Sequence, residues 1–118
     1  TGDITAYYSS DIRLKENIIR IPNALEKVNQ ISGNTYDWKE GYDEVHSHKG
    51  NDVGVIAQEV EAVLPEAVKF APFDVDPLNE NASKSGENYL TVQYEKIVPL
   101  LVECIKELKS QIDELKNK

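Results

Sequence analysis

The chain has little cysteine, an excess of acidic over basic residues and no long apolar run. A single cysteine, Cys104, among 118 residues excludes an internal disulfide and is consistent with a reducing compartment. Lys and Arg number 13 against 21 Asp and Glu, for a formal net charge of −8. Such an acidic chain is a poor candidate for binding nucleic acid or an anionic membrane. No apolar run approaches the roughly 20 residues that cross a bilayer, and the first residues do not resemble a signal peptide. We therefore expect one domain with no nucleic-acid partner and no membrane partner.

What is present is a mixture of helical and strand patterns. Apolar residues at helical spacing predict helices over residues 23–31 and 57–64, the second ended by Pro65. Alternation predicts a strand over residues 35–38, and an apolar run predicts a short buried strand over residues 53–56. The mixture predicts an α+β fold with small strands and several helices.

Two stretches between these elements lack such a pattern. Residues 39–52 are polar and contain glycine, which predicts a loop or a hairpin tip. Residues 70–88 hold Pro72 and Pro77 among several Asn, Ser and Gly residues. That composition predicts a surface excursion with little regular structure, and one interpretation extends it toward a neighbouring subunit.

The clearest structural pattern is a heptad stripe, here called the seam, that runs from residue 94 to near the end of the chain. Its members are Tyr94, Val98, Leu101, Ile105, Leu108, Ile112 and Leu115. It predicts a long C-terminal coiled-coil helix that associates with copies of itself, while packing against its own domain is the alternative. In parallel coiled coils, β-branched residues at heptad position a with Leu at position d favour an assembly of two helices. Pro99 should bend the helix or mark its first turn, and Cys104 is predicted to be a small packed residue.

A serine and a lysine near the N-terminus form a candidate catalytic pair. Ser10 precedes Lys15 by five residues, with Ile12, Leu14 and Ile18 nearby. A neutral lysine can take the proton of a serine hydroxyl, and burial among apolar side chains favours the neutral amine. Neither a helix nor a strand brings residues five apart together. The pair therefore requires a bend within residues 11–14 or a lysine from another chain.

Four segments of the chain, in order, resemble one family. They are Ser-Asp-Ile-Arg-Leu-Lys-Glu-Asn-Ile (10–18), Tyr-Asp-Trp-Lys (36–39), Val-Gly-Val-Ile-Ala-Gln-Glu-Val-Glu-Ala-Val-Leu-Pro-Glu-Ala-Val (53–68) and Tyr-Glu-Lys-Ile-Val-Pro-Leu-Leu-Val-Glu-Cys-Ile-Lys-Glu-Leu (94–108). Over about residues 10–115 the chain resembles the C-terminal intramolecular chaperone auto-processing domain of bacteriophage tail spikes and tail fibres, the endosialidase type. Such domains assist trimerisation of the fibre ahead of them and then cut themselves off.

The resemblance implies a homotrimer without a cofactor or metal, which disagrees with the two strands that the seam alone favours. It implies a scissile bond between Ser9 and Ser10, with Ser10 as nucleophile and Lys15 as base. Residues 1–9 would then end the parent fibre, residues 10–93 form the chaperone and protease body, and residues 94–118 form the coiled-coil helix. The domain would act in the host bacterial cytoplasm during phage assembly, with its parent protein in the virion tail.

Two other functions remain open. One is a non-catalytic trimerisation module whose helix holds fibres together. The other is a coiled-coil adaptor of cellular origin, because similar processing domains occur in membrane-tethered transcription factors.

Several polar residues are candidates for supporting roles. Asp11 is expected to cap the following segment or to orient the scissile turn, and Arg13 to pair with a carboxylate. His46 and His48 lie in a polar loop that is either solvated, part of a metal site completed by nearby carboxylates, or an aid to the dyad. Gln58 and Glu59 open a predicted helix, where they either stabilise an oxyanion or are ordinary first-turn residues.

Overall fold

The computed structural model describes residues 10–118 as a mixed fold of three α-helices and six short strands, which confirms the α+β class. The helices are α1 Ala24–Val28, α2 Ala57–Val63 and α3 Val98–Lys116. The strands are β1 Asn34–Asp37, β2 Asn51–Gly54, β3 Val68–Phe70, β4 Val75–Asp76, β5 Asn79–Ser83 and β6 Leu90–Val92. Short 3-10 helices join them at Ile12–Leu14, Pro65–Ala67, Pro72–Asp74 and Tyr94–Lys96. No helix in the described part of the chain is long and apolar enough to cross a membrane.

The strands form three separate antiparallel pairs: β1 with β2, β3 with β6 and β4 with β5. In the first pair Asn34 lies opposite Gly54 and Asp37 opposite Asn51, so residues 38–50 are the loop of a hairpin, as predicted. The predicted buried strand over residues 53–56 is wrong. The strand is β2, which ends at Gly54, and Val53 is 69% exposed because a two-stranded sheet leaves one face uncovered.

The prediction of little regular structure over residues 70–88 is also wrong. This segment contains a hairpin of β4 and β5 that is organised around Asp74, whose side chain is buried. The carboxylate accepts hydrogen bonds from the Ser83 hydroxyl at 2.7 Å and from the backbone N–H groups of Ser85 and Tyr89 at 2.8 and 3.0 Å. Burial alone raises the pKa of Asp74, but these hydrogen bonds outweigh it and lower the pKa to about 2.

The core is formed by residues of α1, α2 and the first turns of α3, together with Leu64, Ala67 and Ile97 from the segments that join the elements. Its buried members are Ala24, Val60, Leu64, Ala67, Ile97, Leu100 and Cys104. Cys104 is packed in this core, as predicted, and Leu100 is fully buried. The helix α1 is shorter than its apolar pattern suggested, and it packs against α3.

Helix α3 has two different faces. Ile97, Leu100 and Cys104 face the core at helical spacing. The seam lies beside this face and is 41 to 67% exposed along its whole length. Pro99 falls in the first turn of α3, where its missing N–H costs nothing. The seam is therefore only partly packed against its own domain, and its apolar stripe is largely open to solvent in the single chain.

Candidate functional site

The N-terminal segment of the described chain is an exposed arm. Residues 10–20, here called the arm, are all exposed, and Ile21 is the first residue that packs against the core. Asn17 has a φ of 53°, a left-handed conformation that asparagine tolerates better than most residues. The arm carries the whole candidate pair of Ser10 and Lys15. The predicted scissile partner Ser9 lies outside the described residues.

A tight turn brings Ser10 and Lys15 together. The 3-10 helix Ile12–Leu14 supplies the bend that their spacing requires, and the Lys15 N–H donates to the Ile12 carbonyl at 3.1 Å. As a result, the Lys15 amine donates a hydrogen bond to the Ser10 Oγ at 3.0 Å. This distance lies within the reach at which a base can take a proton from a nucleophile.

Asp11 and Arg13 hold the turn in shape. Asp11 is the N-cap of the 3-10 helix, and its carboxylate accepts the backbone N–H of Arg13 at 2.8 Å. The Arg13 guanidinium also binds both oxygens of Asp11, through Nη2 at 2.8 Å and Nε at 3.1 and 3.2 Å. The Arg13 side-chain hydrogen bonds lower the pKa of Asp11, and the same contact raises the pKa of Arg13. Both residues therefore shape the turn that places Lys15 beside Ser10.

The pair lacks the apolar surroundings that a lysine base requires. Ile12 and Leu14, the nearest aliphatic residues, are 72% and 71% exposed, and Ser10 and Lys15 are themselves open to solvent. Water around an amine favours its charged form. The single chain thus holds the pair in hydrogen-bonding geometry but leaves it solvated.

His46 and His48 belong to an aromatic cluster with Trp38. The His48 ring stacks on Trp38 at 4.6 Å between centroids, and the His46 Nδ1 accepts the backbone N–H of His48 at 3.0 Å. Trp38 in turn donates to Asp52 at 3.0 Å. These rings and Phe73 line a cavity of about 880 Å³.

Neither histidine is hydrogen-bonded to Ser10 or Lys15 in the described part of the chain. Within residues 10–118, no three His, Cys, Asp or Glu residues are grouped so that they could hold a metal ion.

Glu59 has a structural partner. Its Oε1 accepts the Ser32 hydroxyl at 2.7 Å and the Ser32 N–H at 3.0 Å, which ties the start of α2 to the chain after α1. The Ser32 side-chain hydrogen bond is the main cause of the lowered pKa of Glu59. Gln58 lines the aromatic cavity. No hydrogen bond within residues 10–118 connects Gln58 or Glu59 to the dyad.

Glu107 positions the helices next to the arm, and the sequence pattern did not single it out. From α3 it accepts the N–H groups of Ala24 and Leu25 at 3.1 and 2.6 Å, and so it caps the start of α1, where no local side chain does. The sequence signal for this role is its position on the core face of the helix, with Ile97, Leu100 and Cys104, because carboxylates are rare on a buried face.

The fold and the site together define a small α+β domain that presents a serine–lysine pair on an exposed arm and an uncovered apolar stripe on its last helix. The chain belongs to the chaperone of endosialidase family, whose model matches residues 10–69.

Relatives that resemble this chain include two phage proteins and one from a slime mould. The long tail fiber protein Gp37 of Enterobacteria phage K3 is 37% identical over 95% of this chain and 8% of its own length. The protein of the same name from Salmonella phage S16 is 36% identical over 92% of this chain and 14% of its own length. The myelin gene regulatory factor-like A of Dictyostelium discoideum is 31% identical over 95% of this chain and 12% of its own length. The chain thus spans less than a sixth of each of these relatives.

Proposed function

We propose that this domain is the intramolecular chaperone of a phage tail fibre or tail spike, and that it releases itself by cutting the Ser9–Ser10 bond. The observation that carries the proposal is the 3.0 Å contact between the Lys15 amine and the Ser10 Oγ. Membership of the chaperone of endosialidase family and the likeness to tail fibre proteins of two phages support it. The domain acts in the host cytoplasm during assembly, and the parent fibre ends in the virion tail.

The chemistry needs only residues of the chain and one water molecule. Neutral Lys15 takes the proton of the Ser10 hydroxyl, and the Oγ attacks the carbonyl carbon of Ser9. The Ser9–Ser10 C–N bond breaks, the Ser10 nitrogen takes the proton from Lys15, and Ser9 is left as an ester on the Ser10 Oγ. Water then hydrolyses the ester, which gives a Ser9 carboxylate and restores the Ser10 hydroxyl. The reaction runs once per chain and requires no cofactor.

The seam supports a homotrimer as the functional state. Seven seam residues, from Tyr94 to Leu115, stay 41 to 67% exposed in the single chain, which is unusual for a soluble helix of this length. Three copies of the helix bury this stripe against one another as a coiled coil. Assembly then comes before cleavage, because the solvated pair gains apolar surroundings only when other chains close around it.

A non-catalytic trimerisation module is the second candidate, and the full exposure of the dyad in the single chain favours it. In that case α3 still assembles the fibre, but residues 1–9 stay attached. The two functions share the trimer and differ only in the fate of the Ser9–Ser10 bond.

The mass of the purified chain over time distinguishes them. We expect the natural chain to lose residues 1–9, and Ser10→Ala to keep them while it remains trimeric, because a hydroxyl on an exposed turn contributes little to packing. The matched control is the neighbouring Ser9→Ala, which should still be cut because Ser9 supplies only its carbonyl. Normal processing of Ser10→Ala would remove Ser10 from the role of nucleophile.

A further inference from the structure

An apolar groove lies beside the seam, between α1 and α3. It has a volume of about 510 Å³, and its wall is almost entirely carbon. The apolar residues that line it are Val28, Ile31, Val55, Tyr94, Ile97, Val98 and Leu101. Three of them, Tyr94, Val98 and Leu101, are also seam residues, so the groove is continuous with the proposed trimer interface.

The arm has the complementary character. Its apolar residues Ile12, Leu14, Ile18 and Ile19 are 63 to 83% exposed. Four large aliphatic side chains within eight residues are rarely left in water without a partner surface. Because the arm is free of its own core, these side chains are available to another chain.

The root of the arm and the groove lie on either side of Val98, a seam residue. At about 100° per residue, two helix positions that line the groove, Ile97 and Leu101, fall on one side of Val98. Pro99 and Val102 fall on the other side, where they meet the root of the arm at Ile19. Val98 itself lines both surfaces, so the groove and the root of the arm open to opposite sides of this seam residue.

Cyclic symmetry brings these two flanks together. In a ring of identical subunits each contact is heterologous, so one flank of a subunit meets the opposite flank of the next. With the three seams facing a common axis, the arm flank of each subunit meets the groove flank of its neighbour.

From this geometry we infer that the arm of each subunit docks in the α1–α3 groove of the next subunit, with Ile12, Leu14, Ile18 and Ile19 against the groove wall. This inference rests on the proposed trimer. The neighbour then supplies the apolar surface that Ser10 and Lys15 lack in the single chain, and the processing site is made of two chains. The occupant is a second copy of this chain and not a foreign peptide.

Gly33 allows the groove to be blocked without disturbing the chain that carries the change. It lines the groove, and a Cβ added there meets no atom within 4 Å. Gly33→Arg fills the groove with a bulky cation, which also repels the arm residues Arg13 and Lys15. We expect a chain with this change to remain trimeric by light scattering and to be cut at least tenfold more slowly. The control is Leu78→Arg, at a 95% exposed site outside the groove, which should be cut at the normal rate.

Mixed trimers decide whether the contact is between chains. Co-expression of Gly33→Arg with Ser10→Ala combines chains that have an intact nucleophile with chains that have an intact groove. Alone, Ser10→Ala should stay uncut and Gly33→Arg should be cut at least tenfold more slowly than the natural chain. With equal amounts of the two chains, about half of all Gly33→Arg chains face an intact groove on the next subunit, so about half should lose residues 1–9. Leu14→Asp, which alters the arm and not the groove, should stay uncut in the same mixture, where every trimer still forms.

Two results would overturn the inference. Normal cutting of Gly33→Arg alone would show that the groove is not used. An absence of cutting in the mixture would place each arm against its own chain. In either case, a natural chain that is trimeric and processed leaves the proposed function intact. A natural chain that is monomeric or never cut overturns both.

Discussion

Glu107 is expected to be the most costly carboxylate to remove from α3, although its position in the heptad pattern is unremarkable. Its two oxygens accept the N–H groups of Ala24 and Leu25, and Ala24 is fully buried. Asn23, the residue at the N-cap of α1, adopts a left-handed conformation and makes no side-chain cap. Glu107→Ala thus leaves two N–H groups of a short helix without an acceptor.

The magnitude follows from these two hydrogen bonds. Each donor that loses a charged acceptor in a partly buried site costs about 1 to 3 kcal/mol, so we expect a loss of about 3 kcal/mol in the free energy of unfolding. For a domain of this size that corresponds to a Tm lower by roughly 10 °C. The groove should loosen as well, since Val28 lies on α1 and lines it.

Thermal unfolding followed by circular dichroism, at one fixed protein concentration, measures this effect. The matched control is Glu103→Ala, one turn earlier on the same helix. Glu103 pairs with Lys106 over 3.6 Å at the surface, and its removal should cost about 0.5 kcal/mol or less. Equal losses for the two variants would refute the view that Glu107 caps α1.

Three further predictions address the base, the assembly and the acid response. Lys15→Arg keeps the positive charge but cannot lose its proton near neutral pH, so it should be uncut by mass spectrometry, whereas the natural rate should rise with pH; an active Lys15→Arg would remove Lys15 as the base. Ile105→Asp with Leu108→Asp places charge in the seam and should yield monomers that are also uncut, measured by light scattering beside a cleavage time course; monomers that cut normally would end the link to assembly. Asp74 has a lowered pKa of about 2, so the stability it provides should be present above pH 4 and lost as pH falls toward 2. In acid unfolding curves, Asp74→Asn should reduce this loss of stability at low pH. An unchanged loss would mean that other carboxylates cause it.

The sequence predicted the elements whose apolar residues follow a period over several turns. Helix α3 and the helix ended by Pro65 lie where expected, and so does the strand over residues 34–37. The separation of the seam from the core face was not predicted in full, because Leu100 and Cys104 form a second stripe that a search for one heptad passes over. Two stripes on one helix are the sequence signal of two separate apolar faces.

The elements that escaped prediction are held by contacts distant in sequence. The β4–β5 hairpin depends on one buried carboxylate, Asp74, and on hydrogen-bond donors 9 to 15 residues away. Such contacts produce no periodic pattern in the sequence. Val53 was expected to be buried because an apolar run resembles a core strand, and only the small size of its sheet keeps it exposed. The spacing of Ser10 and Lys15 required a bend within residues 11–14, and the 3-10 helix is located there. Its form depends on the Asp11–Arg13 contact and not on any apolar pattern.

In the proposed trimer, the Tyr94 hydroxyl would fix the axial register of the three chains. It accepts the N–H of Val55 at 3.1 Å and lies so close to Gly54 that a Cβ there would approach it to 2.7 Å. A seam of three heptads can slip by seven residues, about 10 Å along the axis, and still match apolar side chains. Tyr94 ties the first turn of the seam to the globular body, so in the proposed trimer such a slip would set the three bodies at unequal heights. Equal heights would keep the three Ser10 residues at the same level, and the three chains of the fibre would then end at the same height after release.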